Sequence, residues 1–126
     1  MSVAILRQGD YLIASVQSDL TDSQVLALRD DLAEQVGRSR ARGIVVDVTA
    51  LDVIDSFVAR SLRAIASMAR LRGARTVVVG IRPDVAIAMV QFNLNLEPLH
   101  AALDLDEALQ LLDRLTHEGG GGGDGR

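Results

Sequence analysis

A serine at residue 56 stands where a phosphate group would be well placed. It lies in the run Val53-Ile54-Asp55-Ser56-Phe57-Val58. Before it comes an apolar stretch, Gly43-Ile44-Val45-Val46-Asp47-Val48, and after it a segment of helical spacing that begins at about Ser56. A hydroxyl at a helix start accepts a hydrogen bond from an orphan backbone N–H, and so makes an ordinary cap. The same helix end offers free N–H groups and a positive dipole end, both of which favour an anion. Ser56 therefore has two readings, inert cap or phosphorylation switch. Asp55 is an equally good cap former, in which case Ser56 takes the first helical position. Either assignment leaves the hydroxyl exposed. A phosphate there adds about −1.5 to −2 charges and three acceptor oxygens. Arg60, four residues on, shares the helix face and could pair with it. The expectation is a changed surface at one helix start, with the domain still folded.

Other residues near this point carry weaker signals. Asp47 ends the apolar stretch, at the carboxyl end of a central strand, where α/β sheets bind ligands. Its plainer reading is a solvated strand end. Arg60, Arg63 and Arg70 form a basic stripe, which is either the wet face of an amphipathic helix or a dock for an acidic partner. Phe57 follows the serine directly, as a core residue or an exposed anchor for a partner. His100 and His117 have no ligand spacing and read as surface residues.

These residues need elements to hold them. Residues 3–7 and 11–16 read as two strands joined at Gly9-Asp10 in a hairpin. Thr21-Asp22-Ser23-Gln24 matches a capping box, and Val25, Leu28, Leu32 and Val36 follow at helical spacing, with Gly37 as a plausible stop that the helix boundary could run past. The 43–48 run suits a strand covered on both faces. Residues 56–72 read as a helix with Val58, Leu62, Ile65 and Ala69 on its buried face, ended by Gly73. Residues 75–80 give the next strand. Pro83 suits the first turn of a helix over 83–92 that is apolar almost all round, read here as packed in part against another subunit. An edge strand or irregular link is expected around 96–103. A last helix starts at Asp104 or Asp106 and carries Leu105, Leu109, Leu112 and Leu115. Helices alternating with apolar strands predict an α/β fold: a mostly parallel sheet of four to five strands with an N-terminal hairpin and helices packed on it.

The 126 residues fit one domain, expected over 1–117, followed by a disordered Gly-rich tail over 118–126. Hydrophobic residues make 48% and aromatic residues 2%, so the core must be aliphatic. A net charge of −4 and so few aromatics argue against a nucleic-acid partner. With no cysteine, thiol catalysis and cysteine-ligated metal are excluded. No signal peptide or membrane span is visible, so a cytoplasmic protein without membrane association is expected. No phosphate-cradling glycine loop follows a strand, and no Ser-His-acid set is apparent. A receiver-type phosphoacceptor needs an acidic pair after its first strand, and residues 3–20 supply only Asp10 and Asp19. Neither a cofactor nor a metal is called for, although a small ligand or nucleotide near Asp47 and Ser56 stays open.

The element order and the segments Ile44-Val45-Val46-Asp47-Val48-Thr49 and Val53-Ile54-Asp55-Ser56-Phe57 resemble a STAS domain, the fold of bacterial anti-sigma-factor antagonists. The run from Met68 to Pro83 is similar to one branch of that family, the single-domain stressosome scaffolds of the RsbS type. The resemblance covers about residues 3–116. It implies a scaffold that is not an enzyme but the substrate of an RsbT-type serine kinase, released when Ser56 is phosphorylated. It also implies an RsbR-type STAS co-scaffold, a PP2C-type phosphatase and a homo- or hetero-oligomer. Many direct antagonists of anti-sigma factors carry Asp-Ser-Ser-Gly-Leu here. This chain has Asp55-Ser56-Phe57-Val58-Ala59, which favours the scaffold branch and keeps the direct antagonist as the alternative.

Overall fold

A hairpin opens the fold. β1 (Val3–Gln8) and β2 (Tyr11–Val16) pair antiparallel, with Val3 opposite Val16 and Gln8 opposite Tyr11. The computed structural model describes residues 3–17, 20–52, 54–84, 87 and 99–121. α1 (Asp22–Ser39) follows, then β3 (Gly43–Asp47), α2 (Ser56–Leu71), β4 (Arg75–Val79), β5 (His100–Ala102) and α3 (Leu105–Gly121). The five strands lie side by side in chain order. β2, β3, β4 and β5 run parallel, so the sheet is mixed, as the hairpin dictates.

Period-two alternation sends successive strand residues to opposite faces. Leu12, Ala14, Val16, Ile44, Val46 and Val78 face one side, where they pack with Leu28, Leu32 and Val36 of α1 and Leu62, Ile65 and Ala69 of α2. Ile13, Val45, Val77 and Val79 face the other, against Ala108 and Leu112 of α3. β3 is covered on both sides, which is why its sequence is an unbroken apolar run. Among the described residues the buried core is aliphatic, as expected from the sequence.

α1 begins as its capping box demands. Thr21 Oγ1 accepts from Gln24 N at 3.2 Å, and Gln24 Oε1 accepts from Thr21 N at 2.9 Å. The helix runs past Gly37, as a boundary there could, to Ser39 and closes at Arg40, left-handed with φ 55° and ψ 40°. A Cβ at Gly37 would lie 2.8 Å from Arg72 Nη1, the tip of an exposed side chain that follows α2. The expected helix over 83–92 lies outside the described residues except for Pro83, Asp84 and Ile87, all exposed. The expected edge strand is realised as β5, paired with β4 from His100 opposite Val77 to Ala102 opposite Val79. No helix among the described residues is long and apolar enough to cross a membrane.

Candidate functional site

The loop from Asp47 to Asp55 joins β3 to α2 and carries Ser56 to the surface at the carboxyl end of the parallel strands. It is pinned along its length. Asp47 Oδ1 accepts from Thr49 N at 2.9 Å, a local turn that opens the loop. Val48 N donates to Val79 O at 2.9 Å, and Leu51 N to Val48 O at 2.9 Å. Leu51 is buried and Ile54 packs against the main core. Arg82 Nη2 reaches Asp52 Oδ1 at 2.8 Å and ties this loop to the one after β4.

Gly80 completes the clamp. Its φ is +91°, and a Cβ there would lie 2.0 Å from Thr49 Oγ1 and 2.8 Å from Thr49 Cα. A side chain at 80 would push the serine loop away from the sheet end. The loop is thus a stiff bracket, and the helix start it presents has a fixed position.

At that start the capping duty falls to Asp55. Its backbone is extended (φ −84°, ψ 179°), its Oδ1 accepts from Val58 N at 2.8 Å, and its carbonyl accepts from Ala59 N at 3.0 Å. Ser56 is the first residue of α2 and is exposed. Its hydroxyl makes no side-chain hydrogen bond among the described residues. Of the two readings of Ser56, the cap belongs to its neighbour. The surrounding field is mixed, with Asp55 and Asp52 on the acidic side and Arg60 and Arg82 on the basic side.

The other candidates fall into place around it. Phe57 is half-buried and lies beside the serine at the second helical position. Neighbouring Val58, by contrast, packs on the main core. Arg60 is exposed one turn on, and Arg63 is half-buried in the turn after that. Arg70 does not join them. Fourteen positions beyond Ser56, it lies about 21 Å along the helix axis and in the last turn of α2. The basic stripe is therefore divided between the two ends of the helix. Asp47 is half-buried with one oxygen committed to Thr49 N, which fits a structural strand end. Among the described residues no three His, Cys, Asp or Glu side chains converge to hold a metal ion. His100 is half-buried on β5 and His117 is exposed on α3. Sequence reasoning missed Arg82, Thr49 and Gly80, whose parts depend on contacts between residues some 30 positions apart, and no local motif signals them.

Known proteins share this fold. The STAS domain profile matches residues 2–108. A serine-to-glutamate variant of RsbS from Moorella thermoacetica superposes with a TM-score of 0.80 at 32% identity, covering 93% of this chain and 99% of that one. A chain from the structure titled as the molecular architecture of the stressosome, a signal integration and transduction hub, gives 0.71 at 32% identity, with coverage of 89% and 97%. The RsbT co-antagonist protein RsbRA of Bacillus subtilis (strain 168) is 26% identical over 89 residues, 71% of this chain and 32% of RsbRA. This chain therefore spans about a third of that curated relative.

Proposed function

Because this chain is a member of the STAS domain family, we propose that it is a regulatory scaffold of the stressosome type, without catalysis of its own. In this reading it holds an RsbT-type serine kinase and releases it once that kinase has phosphorylated Ser56. One observation carries the reading: the Ser56 hydroxyl stands exposed at the first helical position while Asp55 does the capping. A capping hydroxyl would give up a structural bond on modification, and this one does not. The similarity to RsbS chains supports the class of function. The similarity to RsbRA, an RsbT co-antagonist protein, supports an RsbR-type STAS protein as co-scaffold. A PP2C-type phosphatase would reset the serine.

The proposed switch follows from local chemistry. Ser56 and Phe57 form the contact patch, flanked by Asp55, Arg60 and Arg63, with Asp47 at the base of the loop. In the unmodified state Phe57 offers an aromatic surface that a partner can cover. A phosphate beside it adds about −1.5 to −2 charges next to Asp55 and Asp52. A partner packed there would have to bury that charge unpaired, at a cost of about 3 kcal/mol, roughly a hundredfold in Kd. In the free domain the phosphate stays in water and draws on Arg60, so the fold persists.

The test is the binding of an RsbT-type kinase to the wild-type, Ser56→Ala and Ser56→Glu proteins by calorimetry. Tight binding by the first two and a loss of about a hundredfold for the third is expected. Equal binding by all three would refute the switch. No binding by any of them, with capture of an anti-sigma factor instead, would favour the direct antagonist.

A further inference from the structure

Two loops leave the sheet side by side at the serine end. β3 and β4 are parallel neighbours, in register from Gly43 opposite Arg75 to Asp47 opposite Val79. The chain therefore exits both strands at the same end. One exit runs to Ser56, and the other carries Gly80, Ile81 and Arg82. At their roots the two are joined by backbone. Val48 N donates to Val79 O at 2.9 Å, and Gly80 lies so close to Thr49 that a Cβ would strike it. Ile81 packs against the main core. Further out the tie passes to side chains, with Arg82 Nη2 donating to Asp52 Oδ1 at 2.8 Å.

Root and tip differ in permanence. The root is fixed by packing and backbone bonds. The tip is a surface pair, with the Arg82 side chain 46% and the Asp52 side chain 76% exposed. Pairs of that kind contribute little to stability, because water and salt screen them. Arg82 is thus held to Asp52 only as long as no better anion stands within reach.

Phosphorylation of Ser56 would supply one. Asp52 precedes Ser56 by four residues, so their Cα atoms are at most about 14 Å apart even along a straight chain. The segment is not straight, because Ile54 packs on the core and Asp55 turns to cap α2. A phosphoserine carries about −1.5 to −2 charges and three acceptor oxygens, against one charge and two oxygens on a carboxylate. A guanidinium fork pairs with either group and favours the stronger acceptor. The phosphate has reason to stay where it forms, at the positive end of a helix anchored in the core by Leu62 and Ile65. The group that moves is the exposed Arg82 side chain.

We propose that Arg82 reads the phosphate. When Ser56 is phosphorylated, the guanidinium leaves Asp52 and pairs with the phosphate, so the tie between the loops passes from residue 52 to residue 56. This rests on the reading of Ser56 as the phosphorylated residue and adds the group that responds to it. Arg60 approaches the phosphate from the helix, and Arg82 from the loop after β4. The exchange also strips Asp52 of its partner and leaves a bare carboxylate on the loop that leads to Ser56 and Phe57. The modified surface then differs from the unmodified one at two points, and a partner fitted to the Asp52–Arg82 pair loses that contact as well.

The test uses the full chain made with phosphoserine built in at residue 56, so no kinase is needed. Phosphorus-31 NMR follows the second ionisation of the phosphate, which lies near pH 6 when unperturbed. Cations beside the phosphate favour the dianion and lower that midpoint. Arg82→Gln should raise it by about 0.5, roughly a threefold change in proton affinity. Arg82→Lys keeps the charge without the fork and should restore part of the effect. Matching amide spectra of the unmodified proteins would establish that the variants are folded. An Arg82→Gln phosphoprotein that titrates like the wild-type phosphoprotein would overturn the proposal. So would a wild-type phosphate that titrates like one on an unfolded peptide of the same sequence. Because the phosphate is built in, failure here leaves the kinase reading of Ser56 standing, and a kinase that ignores Ser56 leaves this result unchanged.

Discussion

Replacing Asp55 by alanine should destabilise the domain, whereas replacing Ser56 should not. The Asp55 carboxylate satisfies Val58 N at 2.8 Å at the start of α2, a helix whose Leu62, Ile65 and Ala69 are core residues. Losing an N-cap of this kind costs about 1 kcal/mol, within a range of roughly 0.5–2. For a chain of this size that lowers the melting temperature by about 3–5 °C. The Ser56 hydroxyl is exposed and unbonded among the described residues, so Ser56→Ala should stay within about 0.5 kcal/mol of wild type. Asp55→Asn keeps a capping oxygen and should recover most of the loss. Urea denaturation of the four proteins, monitored by circular dichroism, measures the differences. If Ser56→Ala were as unstable as Asp55→Ala, the serine would be the cap, and the argument that its hydroxyl is free for modification would fall. The ordering also has a practical consequence, since Ser56→Ala then reports loss of phosphorylation without loss of fold.

Three further outcomes follow from the packing. Gly80→Ala combines a left-handed φ with a clash against the Thr49 backbone and should cost about 2 kcal/mol or more, read as a lower urea midpoint. Burial and the hydrogen bond to Asp113 raise the Tyr11 phenol above its ordinary value, so the folded state favours the protonated form. That contribution is complete below about pH 10, the unfolded value, and fades as pH rises through the higher folded one. The urea midpoint should therefore drop as pH rises above about 10, and Tyr11→Phe should remove the part due to this residue. Thr76 is 2% exposed and its Oγ1 has no partner among the described residues, so Thr76→Val should leave stability unchanged or raise it by up to about 1 kcal/mol.

Much of this architecture is written locally. The Thr21–Gln24 capping box, the apolar runs at 43–48 and 75–80 and the spacing of Leu62, Ile65 and Ala69 each act within a few residues, and the structure forms the elements they imply. Boundaries were harder, because two good cap formers, Asp55 and Ser56, stand side by side, and hydrogen-bond geometry alone chooses between them. The end of α1 was legible only to within a turn, since the helix passes Gly37 and closes at Arg40. The bracket that steadies Ser56 was not legible at all. Arg82 on Asp52 and Gly80 on Thr49 exist only once β3 and β4 lie parallel, which brings their two following loops together. The divided basic stripe has the same origin, since periodicity gives the face of a helix but not the company at each end.

The central claim, that Ser56 is the phosphoacceptor, is tested most directly by mass spectrometry. The protein and its Ser56→Ala variant would be incubated with ATP and an RsbT-type kinase, then measured intact and as peptides. A single added phosphate that maps to Ser56 and is missing from the variant is the predicted result. Phosphate on another residue, or none with a kinase shown to be active on a control substrate, would contradict the account and leave Ser56 an ordinary surface serine.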